Sequence, residues 1–304
     1  MNISWRKYLK VGLVHFMAFP QTLKGEGPVL ETLEKVLSDD FFEVVEITTI
    51  QDKEVRQKAR AMLESSKVVV TYGGQPVQLV NQLNLNSFEA GERGQALNRC
   101  KACIDEAVEM GASGVAFLSG PDPGADRRKE ATDLLFDSLN QLCSHAARLG
   151  DIKVVVETFD YDIDKKALIG PNADAARLSG RLREKHSNFG LMLDLSHLPL
   201  QHESIEQGLN AARDHLVHAH IGNCVMRDKN HPAYGDQHPR FGIPGGENDV
   251  AEVADYIRTL MKIGYLKENQ PRILSFEVKP MPGESSEIVL ANAKRTLRDA
   301  WELV

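Results

Sequence analysis

Short runs of β-branched and apolar residues alternate with longer amphipathic stretches along the chain, which predicts a repeated strand–helix unit. The runs are Val11–Met17, Glu43–Thr49, Lys67–Thr71, Ser113–Ser119, Lys153–Thr158, Phe189–Leu195, Leu216–Ile221 and Ile273–Val278. Val68-Val69-Val70 and Val154-Val155-Val156 are apolar at consecutive positions, as in strands covered on both faces. The stretches between carry the helical period instead. Leu134, Leu135, Leu139, Leu142, Cys143 and Ala146 form one stripe over Ala131–Leu149. Val250, Val253, Ala254, Ile257, Leu260 and Met261 form another over Asp249–Ile263. Gly111, Gly150 and Gly264 stand where such helices give way to strands. Eight units in series predict a (β/α)8 TIM barrel, taken as one domain over residues 1–304. The competing doubly wound open sheet lacks a GxGxxG after the first strand. Two stretches, Gly73–Gln95 and Asn223–Asn248, are longer than a barrel loop requires, and long loops at strand ends are where barrels keep function.

Composition narrows the class. The 304 residues are 42% hydrophobic and 26% charged, a globular rather than disordered or membrane-spanning balance. Acids outnumber bases by 43 to 36, for a net charge of −7, and no basic run suits a phosphate backbone. Neither nucleic acid nor membrane is therefore expected as a partner. Cys100 and Cys103 form a CxxC, open to a redox or zinc reading. They fall on the helical stripe of Ala96–Met110 with Leu97, Ile104, Ala107 and Val108, where a buried helix face is the plainer reading. With Cys143 and Cys224 they are too few for a disulfide scaffold, and Met1–Lys7 has no apolar leader segment. A cytoplasmic protein is expected.

The last four strands each end in a side chain able to bind a metal. They read Val-Val-Val-Glu157, Leu-Met-Leu-Asp194-Leu-Ser-His197, His218-Ala-His220 and Ser-Phe-Glu277-Val-Lys279. An ionisable group at the end of an apolar strand is costly unless paired or metal-bound. Four on consecutive strands converge on the barrel mouth, because neighbouring strands lie about 4.8 Å apart. Three carboxylates and an imidazole suit one divalent ion, Mn²⁺ foremost, with Mg²⁺, Co²⁺ or Zn²⁺ as alternatives.

With ETFD at Glu157, LDLSH at Asp194–His197, HAHIGN at His218–Asn223, PGGENDV at Pro244–Val250 and SFEVKP through Glu277, the chain resembles the xylose-isomerase-like sugar isomerase/epimerase barrels, ketose 3-epimerases included. The resemblance implies that Glu157, Asp194, His220 and Glu277 bind one divalent metal, with Glu157 and Glu277 doubling as the acid/base pair. It also implies that His197 and Arg227 hold substrate oxygens. The stretch His231–Gly242 is longer than the epimerase loop and is similar to that of metal-dependent lyases acting on 3-oxo-glycosides. Abasic-site endonucleases also resemble this barrel but gather more ligands, whereas one complete set is assembled here.

The chemistry follows from the parts. A proton beside a ketone becomes acidic when the developing enediolate is stabilised, and carboxylates on opposite faces can remove and return it. The same parts serve epimerisation, aldose–ketose exchange or β-elimination from a 3-oxo sugar, or persist in a non-catalytic sugar-binding barrel. The expected partner is a small carbohydrate, with a homo-oligomer or partner subunit also open. His15 either contacts substrate or is a hydrogen-bonded core histidine. His218 shares the side of its strand with His220, for substrate contact or for packing below the metal. Lys279 either neutralises an oxyanion or pairs with Asp160. His231 and His238 are read as exposed loop histidines rather than lid contacts, Cys224 as packing, and Glu46 as a hydrogen-bonding residue of the mouth.

Overall fold

The structure, a computed structural model, describes residues 4–304. The reading of the extreme N-terminus rests in part on residues 1–3, outside the described residues. Eight parallel strands close into a barrel in sequence order: β1 (Leu9–Val14), β2 (Val44–Ile47), β3 (Val69–Gly73), β4 (Gly114–Phe117), β5 (Lys153–Glu157), β6 (Phe189–Asp194), β7 (Leu216–Ile221) and β8 (Arg272–Phe276). Closure runs through β1 and β8, paired from Leu9–Arg272 to Leu13–Phe276. The outer layer holds α1 (Val29–Leu37), α2 (Lys53–Ser66), α3 (Ala90–Glu109), α4 (Arg128–Leu149), α5 (Asn172–Arg183), α6 (Ile205–Ala212), α7 (Val250–Lys262) and α8 (Ser286–Glu302). This is the (β/α)8 barrel that the alternation predicts. No helix among the described residues is long and apolar enough to cross a membrane.

Local chemistry sets the element ends. Asp52 accepts from the backbone N–H groups of Glu54 and Val55 to start α2, and Ser204 forms a reciprocal capping box with Gln207 to start α6. Gly111 and Gly264 take φ of 74° and 78° beyond α3 and α7, a conformation that other residues adopt only with strain.

Two expectations shift. The first strand ends at Val14 rather than Met17, because His15–Ala18 turns into a short helix. Gly73–Gln95 is partly helical, with Gln75–Val80 forming a short helix and α3 starting at Ala90, ahead of its apolar stripe. That first stretch of α3 is largely exposed and polar, so it carries no periodic signal. Cys100 and Cys103 are free and buried on α3; burial pushes both thiols up, Cys103 to about 12. Neither is the ready thiolate that redox or zinc chemistry uses.

Two packing layers position the site. The main core lies between strands and helices, and a separate cluster of Ala116, Val155 and Met192 lies apart from it. Side chains on one side of a strand recur every second residue. Glu157 and Asp194 therefore follow Val155 and Met192 on the same side, one step nearer the strand ends. The register then sets Asp194 beside His220 and His220 beside Ser275, two residues before Glu277.

Candidate metal centre

The ligand atoms of Glu157, Asp194, His220 and Glu277 lie within 4.8 Å of one another, at the C-terminal ends of β5–β8. His220 Nδ1 sits 2.7 Å from Glu277 Oε2, 3.6 Å from Glu157 Oε1 and 4.0 Å from Asp194 Oδ2. The set is buried, and Glu277, at 9%, is its most exposed member. Glu157 Oε2 accepts a 2.8 Å hydrogen bond from Gln75 Nε2, and Asp194 Oδ1 accepts from the Ser196 N–H at 2.7 Å. The other oxygen of each, Glu157 Oε1 and Asp194 Oδ2, is buried with no hydrogen-bond partner among the described residues. Buried, unpartnered carboxylate oxygens are costly, and a cation between them removes the cost. Three carboxylates and one imidazole at these spacings fit a hard or borderline divalent ion.

His220 is oriented from below. Glu46 Oε1 lies 2.9 Å from His220 Nε2 and 2.8 Å from His218 Nε2, which turns the His220 Nδ1 toward the quartet. A carboxylate behind a metal-binding imidazole fixes ring orientation and raises basicity. Burial pulls the His220 imidazolium down, but Glu46, Glu157 and Glu277 outweigh it and hold it well above the usual histidine range. Burial likewise raises the Glu46 carboxyl, and the two imidazoles overcome it and hold the group well below the usual range. Glu46 is thus the hydrogen-bonding residue expected, and His218 packs below the quartet.

A second set stands beside the first, where sequence reading assembles only one. Asp194, His197 and His238 also bring ligand atoms within 4.8 Å of one another. His238, read as an exposed loop histidine, is 2% exposed. Asp236 joins it: Oδ1 is 2.9 Å from His238 Nε2 and 3.1 Å from His197 Nε2, and Oδ2 is 2.8 Å from Lys165 Nζ. Burial lowers both imidazoles, yet the surrounding carboxylates, Asp236 among them, lift His197 to about 10 and His238 to about 9. The chain brings Asp236, Gln75 and Lys165 to the site, none of which stood out in sequence. For Asp236 a signal existed: Asp236-Gln-His238 repeats the one-apart spacing of His218-Ala-His220.

The remaining candidates divide between the site and positions away from it. His197, after β6, is in the site, its Nδ1 2.8 Å from the Thr158 carbonyl. Arg227 is 83% exposed at its side chain and pairs with Glu247, away from the quartet. His15 is buried with Nε2 2.8 Å from Thr32 Oγ1, the hydrogen-bonded core arrangement. Lys279 donates to Gln237 Oε1 at 3.4 Å rather than pairing with Asp160, which instead caps the backbone of Ile163–Lys166. His231 accepts from the Ala233 N–H within its own turn, and Cys224 is fully buried.

The family described as xylose isomerase-like TIM barrel matches residues 39–298. No curated protein sequence matches the chain. Among solved structures, D-psicose 3-epimerase from Clostridium cellulolyticum H10 is 16% identical, covers 97% of this chain and 96% of its own, and superposes with a TM-score of 0.64. The 3-keto-D-glucoside 4-epimerase YcjR of E. coli is 18% identical over 95% of this chain and 98% of its own, at 0.65. The IOLI protein with a bound zinc atom is 14% identical over 96% and 98%, at 0.73. At these identities the likeness is one of fold.

Proposed function

The chain belongs to the xylose isomerase-like TIM barrel family, and from that premise we propose a divalent-metal-dependent isomerase or epimerase acting on a small carbohydrate. The observation that carries the reading is the buried quartet Glu157, Asp194, His220 and Glu277, with two carboxylate oxygens that have no hydrogen-bond partner among the described residues. A cation held there, Mn²⁺ in this proposal, would supply Lewis-acid stabilisation of negative charge developing beside a sugar carbonyl. The epimerases among the similar folds, and the zinc bound by the IOLI protein, support the reading.

The protein's own groups supply the proton transfers. Glu157 is held at Oε2 by Gln75, which leaves Oε1 turned toward the site to take a proton from the carbon beside the carbonyl. Glu277, the most exposed of the quartet, is placed to return one, with His220 Nδ1 2.7 Å from its Oε2. His197 is the substrate-oxygen contact in this reading. Arg227 takes such a role only if the 223–248 segment moves, since it now faces solvent. Asp236 and His238 of that segment are buried beside the quartet, with His238 Nε2 3.4 Å from Glu277 Oε1, so in this reading sugar entry also requires the segment to shift. We further assign one domain to the chain and a reducing compartment, the latter supported by four free buried thiols.

Assay of free ketoses and 3-oxo-glycosides with Mn²⁺, with products identified by NMR, tests the assignment. Isomerisation or epimerisation conserves the substrate formula, and turnover in D₂O places deuterium on the carbon beside the carbonyl. Release of a second molecule would replace the proposal with elimination. Complete retention of the substrate hydrogen together with two bound metals would replace proton transfer with hydride shift.

A further inference from the structure

The barrel mouth divides into two halves. The candidate metal-binding quartet comes from the ends of β5–β8, whereas the rim above β3 and β4 is rich in uncharged amides. There a cavity of about 650 Å³ opens between the segment after β3, the turn after β4, the start of α3 and Lys165 beyond β5. That volume falls within the roughly 300–1,000 Å³ of ligand cavities.

One side chain connects it to the metal centre. Lys165 lines the cavity, and its Nζ lies 2.8 Å from Asp236, which faces His197 and His238 on its other side. The walls are built for hydroxyls. Asn81 commits Nδ2 to the Val77 carbonyl and Asn84 commits Oδ1 to the Asn86 N–H, so among the described residues Asn81 keeps a free acceptor and Asn84 a free donor. Gln82 and Gln95 add two further amides, each with donor and acceptor side by side, as vicinal hydroxyls require. Leu79, 45% exposed on the same lip, offers an apolar surface for the C–H face of a sugar ring. The cation is already paired, Lys165 lying against Asp164 and Asp236, and the one lining acid, Glu92, accepts from the Ser87 hydroxyl. A phosphate entering this cavity meets no uncommitted cation.

We infer that this cavity is a subsite for a neutral glycosyl unit, so that the substrate is a glycoside whose reacting unit sits at the metal centre and whose second unit is held by the amides. The inference rests on the carbohydrate reading above and adds that the substrate has at least two units and no phosphate on the second.

Calorimetric titration of the Mn²⁺-loaded protein with methyl β-D-glucoside, cellobiose and glucose 6-phosphate tests it. Cellobiose should bind at least tenfold more tightly than the methyl glucoside. Two variants should shrink that ratio at least threefold while leaving methyl glucoside affinity unchanged. They are Gln95→Ala on the exposed start of α3, and Asn84→Asp, which keeps the acceptor for Asn86 and removes the free donor. Equal affinity for the two neutral sugars, or an unchanged ratio in both variants, overturns the subsite and leaves the carbohydrate reading standing. Tightest binding of glucose 6-phosphate overturns the neutral-ligand assignment. No binding of any of the three overturns the subsite, whereas the carbohydrate reading falls only if the ketoses and 3-oxo-glycosides of the turnover assay also go unconverted.

Discussion

Glu157 and Glu277 show how much one side chain is asked to do here. In the proposed mechanism each contributes charge to the quartet and an oxygen for proton transfer, so Glu157→Gln or Glu277→Gln should lower kcat by several orders of magnitude, with folding intact by circular dichroism. General acid–base catalysis alone is worth about 10²–10⁴-fold, and the lost metal charge adds to it. Near-normal turnover in either variant would disprove the mechanism. His220 makes a second prediction. Glu46, Glu157 and Glu277 raise its pKa well above the usual histidine value, which favours the protonated ring. A metal bound at Nδ1 must displace that proton, so binding should release protons and weaken as pH falls. Calorimetry in buffers of different ionisation enthalpy reads the release directly, and a pH-independent affinity would contradict it. His15 acts on stability instead. Burial lowers its pKa from 6.5 to about 4, so the folded protein keeps it neutral while the unfolded chain gains a proton below 6.5. Its contribution is therefore intact above pH 6.5 and is lost as pH falls toward 4, by about 3 kcal/mol in all. Urea unfolding at pH 7 and pH 4.5 should show that part of the slope vanish in His15→Gln.

At the scale of elements, the strands owe their geometry to positions without bulk as much as to apolar ones. Gly12 in β1 faces β8, and a Cβ there would lie 2.2 Å from Ser275 Oγ and 3.1 Å from Val44 Cβ. Gly12→Ala should destabilise the barrel by about 1–3 kcal/mol through overpacking. Because Ser275 stands two residues before Glu277, metal affinity should fall with it. Thermal melts and metal titration of the one variant read both, and a neutral melt would show that the site has room. The strand-end candidates were legible because a covered strand has a strong apolar signature against which a single ionisable residue stands out. Glu157, Asp194, His220 and Glu277 could be placed at one mouth from order alone. The start of α3 and the Gln75–Val80 helix were not legible, since polar, exposed turns carry no period.

Across the whole molecule, the site is closed by contacts between distant loops. Lys165, after β5, holds Asp236 of the segment after β7, and the pair ties that segment to the barrel. Lys165→Met should leave Asp236 short of a buried counter-charge and destabilise the protein on the order of 3 kcal/mol. The same variant should raise the exchange of amide protons in the 223–248 segment, and an unchanged exchange pattern would show that the segment is held by other means.

The alternation of period, the eight units and the four strand-end ionisable residues are local or ordinal properties, so the chain's residue order by itself determined the barrel and the meeting of the candidate quartet at its mouth. Where irregular segments come to rest depends on closure over long sequence separations, and no short-range pattern encodes it. His238 looked like a solvated loop residue and lies buried beside Asp194, while Arg227, which the resemblance sends to the substrate, faces solvent. Only the folded barrel decided both, by bringing Lys165 and His197 to meet Asp236, because ion pairs between separate loops form only once the strands beneath them have closed.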